Sequence, residues 1–173
     1  MELLRADEGE SKILATVVHR DGSTFADTIS IDRGSNDGIE EGMVVLSAQG
    51  SLLGSVTSAL PGQSFVRLVT DSRSRVAGQA TQSQAEGVVS GELGGGLTLA
   101  LARAEVQVGD LIVTSGIGGG YPQGIPIATV SSVEGSAQEL FRNVKLEPLV
   151  RPSTVRTVIV LLGTPALAEG GSP

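Results

Sequence analysis

The chain has 173 residues, the size of one ordinary domain or two small ones. Gly supplies 24 residues, about twice the usual share of roughly 7%, while aromatics supply 2% and Cys is absent. With a formal net charge of −7, this inventory excludes a disulfide scaffold, a Cys-based zinc site and a thiol nucleophile, and it lacks the basic, aromatic-interleaved footprint of a nucleic-acid or anionic-membrane binder.

The first residues, Glu2-Leu3-Leu4-Arg5-Ala6, read as one helical turn or the end of a longer helix. They are acidic where a signal peptide is basic, so the chain is expected to be cytosolic or a soluble part of something anchored elsewhere. From there apolar residues alternate with polar ones. In 26–32, Ile29 and Ile31 share one face while Thr28, Ser30 and Asp32 share the other, the period-two mark of a half-buried strand. The same reasoning predicts strands over 13–19, 26–32, 43–47, 51–58, 64–70, 75–80, 86–91, 97–101, 111–115, 125–133, 143–147 and 155–162. Arg20-Asp21-Gly22, Asn36-Asp37-Gly38 and Pro61-Gly62 are turn sequences. Val158 to Leu162 is apolar on both faces, which places 155–162 between layers or between domains. Runs of this length fall far short of the roughly 18 apolar residues of a membrane span. Residues 163–173 have the composition of a disordered tail.

The second half repeats the first. Thr16-Val17-Val18 matches Gly87-Val88-Val89, and Thr28-Ile29-Ser30-Ile31 matches Thr98-Leu99-Ala100-Leu101. Ile39-Glu-Glu-Gly42 matches Val106-Gln-Val-Gly109, Leu53-Gly-Ser-Val56 matches Ile127-Ala-Thr-Val130, and Val66-Arg-Leu68 matches Val144-Lys-Leu146. The order is kept, and the offset drifts only by loop insertions, the largest being Gly116 to Gly124. Twelve strands then divide into two tandem six-stranded β-barrels, an all-β fold with a short N-terminal helical remnant in 1–12. The expected division is 13–80 and 86–162, with 81–85 as linker. Whether the final strand returns to the first unit is left open. Barrel corners account for the glycines, and narrow barrels filled with Val, Leu, Ile and Ala account for the scarce aromatics.

Chemistry is hard to find. The single His, His19, ends a predicted strand. His19, Asp71 or Asp110, and Ser115 form a triad on paper, but Thr114-Ser115-Gly116 lacks a nucleophile context. Gly116-Ile117-Gly118-Gly119-Gly120 lacks the Gly-Lys-Ser/Thr and helix of a phosphate loop. The carboxylates have no calcium-loop spacing. No cofactor or metal is expected.

Ile31-Asp32-Arg33-Gly34, Asp37-Gly38, Gly42-Met43-Val44-Val45 and Gly54-Ser55-Val56 resemble the first β unit of the MreC family of rod shape-determining proteins. Val108-Gly109-Asp110 through Val113-Thr114-Ser115-Gly116, followed by Tyr121-Pro122-Gln123-Gly124-Ile125-Pro126-Ile127, is similar to the family's second unit. The resemblance runs from about residue 13 to 162. It implies a non-enzymatic scaffold of the cell-elongation machinery on the extracytoplasmic (periplasmic) side, anchored by a single membrane helix and a coiled coil of which Leu3-Leu4-Arg5 is the last turn. It implies as partners a second copy (dimer or filament), a penicillin-binding transpeptidase, MreD and the MreB-linked complex. Partner contacts are expected at Ile117, Gly118, Gly119, Gly120, Tyr121 and Pro122 in the long loop, and at Phe141. The rivals are a two-barrel serine hydrolase using His19 and Ser115, and a small-molecule-binding β module.

Overall fold

The computed structural model describes residues 12–22, 27–92, 96–102, 106–118, 120–133, 141–151 and 154–162. Of the expected N-terminal helical remnant (1–12), residues 1–11 lie outside them and Lys12 opens a strand; the tail (163–173) lies outside them too. Twelve strands follow in order: β1 (Lys12–Gly22), β2 (Asp27–Ile31), β3 (Val44–Ser47), β4 (Leu52–Leu60), β5 (Gln63–Leu68), β6 (Arg75–Ala80), β7 (Glu86–Gly91), β8 (Leu97–Ala102), β9 (Leu111–Thr114), β10 (Pro126–Val133), β11 (Phe141–Pro148) and β12 (Thr157–Leu161). Each coincides with an expected strand to within three residues, because alternation fixes which side chains turn inward. In β5, Ser64, Val66 and Leu68 are buried while Phe65 is exposed.

The strands close into two antiparallel barrels of six, β1-β12-β3-β4-β5-β2 and β7-β6-β9-β10-β11-β8. Under the repeat, β1 to β5 correspond to β7 to β11, and the two orders then become identical except for one exchange. The sixth strand of each repeat sits in the other barrel. β12 pairs with β1 and β3, and β6 pairs with β7 and β9.

This exchange corrects the division at 13–80 and 86–162. Residues 81–85 are not a linker but the turn of the β6–β7 hairpin, where Ala80 N–H donates to Ala85 C=O and Gln84 takes a positive φ of 65°. The chain passes between barrels at 69–74 and again at 149–156. The first crossing escapes a composition search because Val69, Thr70, Asp71 and Ser74 are buried. The duplication is visible in matched corners. Gly42 (φ 93°) donates to Val56 C=O, and its counterpart Gly109 (φ 97°) donates to Val130 C=O, both in the left-handed region that favours Gly.

Ile31, Val45, Leu53, Val66, Leu68, Val158 and Val160 fill the first barrel; Val76, Val89, Leu99, Ile112, Val130 and Val144 fill the second. The second core extends onto the outer face of the first barrel through Val44, Leu46, Leu52 and Leu161. That contact is why β3 is buried on every residue and why β12 is apolar on both faces.

Candidate functional site: the long loop and the seam between the barrels

The loop from β9 to β10, residues 115–125, begins at a buried hinge. Thr114 N–H donates to Ile125 C=O, its hydroxyl donates to Pro122 C=O, and the same oxygen accepts from Ile125 N–H at 2.9 Å. One Thr therefore ties both ends of the loop together. Ser115 Oγ accepts from Ile117 N–H at 3.2 Å, and Ser115 N–H donates to Ala77 C=O on β6. Gly116 holds φ at 79° with Gln123 packed close, so any side chain there meets both backbone strain and crowding.

Tyr121 is half-buried rather than presented to solvent. Its ring packs on the shared core, and its hydroxyl is hydrogen-bonded to Ser55 on β4 of the first barrel, near Arg67 on β5. Burial pushes the phenol upward in pKa, against the Ser55 bond and the Arg67 charge, so the ring stays neutral at physiological pH. Sequence alone gave no signal for this role, because the partners Ser55 and Arg67 lie on the other barrel. Tyr121, expected among the partner contacts, is thus also a strut across the seam. Ile117 is different: it is 56% exposed at the loop tip. Pro122 is half-buried, Gly118 and Gly120 are exposed, and Gly119 lies outside the described residues. Phe141 opens β11, paired with Ala102, and its side chain lies outside the described residues.

The seam has a second fastening at the first crossing. Asp71 is fully buried and engaged on both oxygens. Oδ2 accepts from Asp27 N–H and from Arg73 Nη2, both at 2.9 Å. Oδ1 accepts from Arg73 N–H and Nε at 2.8 and 2.9 Å. Burial acts to raise its pKa, but the Arg73 side-chain bonds, the two backbone donors and the Arg73 charge outweigh it and hold the carboxyl at about 2. Gly91, at the end of β7, lies so close to Thr70 and Asp71 that a Cβ would fall 2.2 Å from the Asp71 carbonyl oxygen.

Among the described residues no hydrogen bond joins the members of the paper triad. His19 is on β1 of the first barrel, and Ser115 follows β9 of the second. Asp71 is committed to Arg73, and Asp110 accepts from Gln107 N–H. Among the described residues no three His, Asp or Glu side chains gather as metal ligands. The described barrel interiors are filled by their own side chains.

Two closed six-stranded barrels joined in this way match a known pattern. The family-wide profile described as rod shape-determining protein MreC, barrel core, covers residues 17–162. The chain belongs to the MreC family. It is 31% identical over 176 residues to the cell shape-determining protein MreC of Escherichia coli, covering 98% of this chain and 46% of that protein. It thus spans about half the length of this curated relative. The crystal structure of MreC from Pseudomonas aeruginosa is 30% identical, with a TM-score of 0.79 over 87% of this chain and 98% of that one. A complex between Penicillin-Binding Protein (PBP2) and MreC from Helicobacter pylori contains a chain with the same fold, at 17% identity and a TM-score of 0.69, covering 88% of this chain and 98% of that one. Among the described residues no helix is long and apolar enough to cross a membrane.

Proposed function

We propose that this chain works by surface contact, as a non-enzymatic scaffold of the cell-elongation machinery. It maintains rod shape on the extracytoplasmic face of the cell membrane, by self-association and by holding a penicillin-binding transpeptidase. In the full-length protein a membrane segment keeps it there, next to MreD and the MreB-linked complex. Family membership supports the shape-determining role, and the complex of a family member with PBP2 supports the transpeptidase as partner.

The observation that carries the contact site is the clamped loop. Thr114 and Tyr121 fix its two arms, so Ile117 is a large apolar side chain held out at 56% exposure without the entropy cost of a floppy loop. Preorganised apolar tips of this kind are suited to act as binding anchors. Residues 117–122 and Phe141 form the proposed partner surface.

The test is binding of the chain to a purified PBP2-type transpeptidase by biolayer interferometry. Ile117→Asp is expected to weaken binding by roughly tenfold or more while leaving the melting temperature unchanged. Phe141→Ala is the second arm. Unchanged affinity in both variants would move the transpeptidase surface elsewhere.

A further inference from the structure

β1 is the longest strand, and its two halves have different neighbours. Lys12 to Thr16 pair with β12 on one side. Val17 to Gly22 pair with β2 on the other. β12 begins only at Thr157, so beyond Val17 the side of β1 that faced β12 has no further ladder partner among the described residues. The last backbone-to-backbone hydrogen bond there among the described residues is Val17 N–H to Arg156 C=O at 2.9 Å. The β1–β2 register shifts between Val17 and His19, which leaves Val18 bulged and 55% exposed. The returning chain diverges from β1 at 154–156, opening a groove of ≈ 610 Å³ lined by Val17, Val18, His19, Arg20, Val155 and Arg156, with Thr154 at its end.

Among the described residues the cationic side chains along this groove have no acidic partner. Arg20 is held in place by its Nη2 donating to Val155 C=O at 3.2 Å, while its buried Nη1 has no hydrogen-bond partner among the described residues. Among the described residues neither Arg20 nor Arg156 meets a carboxylate. Two guanidiniums beside a valine floor, without a carboxylate partner among the described residues, are unexpected in a chain of net charge −7. Asp21, exposed one residue beyond Arg20, bounds the positive stretch.

We infer that this open edge receives an extended acidic peptide from a partner protein. The peptide adds as a strand alongside residues 18–21 of β1, its carboxylates on Arg20 and Arg156 and its intervening aliphatic side chains on Val18 and Val155. Three observations favour a peptide strand over a small anion. An unpaired strand edge offers main-chain groups, which only another backbone can complete. Arginine forks suit carboxylates in fixed geometry. The valine floor between the two cations gains nothing from an inorganic ion.

The experiment uses a fluorescein-labelled peptide of alternating Glu and Val, with Gln–Val and Lys–Val peptides as controls, and reads anisotropy against protein concentration. The Glu–Val peptide is expected to bind, with the controls weaker by roughly tenfold or more. Arg156→Glu changes an exposed side chain, so the fold tolerates it, and thermal melting checks this. It is expected to cost the Glu–Val peptide roughly tenfold in affinity, and Arg20→Glu a similar amount. A Glu–Val peptide N-methylated on alternate residues cannot complete the main-chain ladder and is expected to lose binding with the charges intact. Equal affinity for the three peptides overturns the inference. So does competition by free phosphate as effective as the unlabelled peptide, which would mark a simple anion site. Binding to anionic phosphatidylglycerol vesicles in place of the peptide overturns it as well. Self-association that Arg156→Glu abolishes, with no peptide bound, would give the groove to a second copy and likewise overturn it.

Discussion

Replacing Asp71 with Asn removes a charge from the point where the first crossing is tied down. In the folded chain the carboxyl titrates at about 2, against an ordinary value of 3.8. At about 1.4 kcal/mol per pKa unit, that depression corresponds to roughly 2 kcal/mol of stabilisation when the group is ionised. The Arg73 guanidinium is 54% exposed, so solvent screens its share and about 1–2 kcal/mol remains. The amide of Asn also turns a donor toward donors, at Asp27 N–H or the Arg73 fork, which adds to the loss. Because the folded-state pKa is the lower one, the contribution is complete above the ordinary value. It is lost as the pH falls through about 2. Urea unfolding of the two proteins at pH 7, and at steps down to pH 2, reads this directly. The native chain is expected to lead by about 1–2 kcal/mol at pH 7, with the gap closing between about pH 4 and pH 2. Equal stabilities at pH 7 would refute the role of the carboxylate. A gap that stays constant down to pH 2 would show that shape, not charge, is what Asn disturbs.

Other outcomes follow from the same seam. Gly91→Ala drives a methyl group into the Thr70–Asp71 backbone and is expected to cost about 2–3 kcal/mol, read as a lowered melting temperature. Tyr121→Phe removes only the hydroxyl bonded to Ser55 and is expected to cost about 0.5–1.5 kcal/mol in urea unfolding, with transpeptidase binding weakened only as far as the loop loosens.

Much of the fold was legible because a barrel stave carries its own instructions. Ile29 and Ile31, or Val144 and Leu146, face inward at period two whatever they pair with. The repeat was legible for a similar reason, since Gly42 and Gly109 perform the same local turn. Barrel membership was not, because nothing within β6 or β12 says which barrel will accept it. Both are short, and the choice is made by partners such as β1 for β12 and β9 for β6, far away in sequence. A polar run of Thr81-Gln82-Ser83-Gln84 resembles a linker, while the true crossing hides its polar groups in hydrogen bonds around Asp71. The site was legible only in part. The loop announced itself by its glycines, but the burial of Tyr121 depends on Ser55, and a contact across two barrels leaves no local trace. The open edge of β1 was invisible for the same reason, since it exists only because β12 starts late.

The exchanged sixth strands also set an order of assembly. The strands of the second barrel, β6 to β11, form one uninterrupted stretch, Arg75 to Pro148, and their ladder needs no strand that is synthesised later. The first barrel begins at Lys12 yet closes only when Thr157–Leu161 arrives between β1 and β3. On a chain emerging from the ribosome, the later half is therefore complete before the earlier one. Until then β1 and β3 present raw edges, the condition that invites pairing with another chain. A protein cut short before Thr157 would keep those edges permanently.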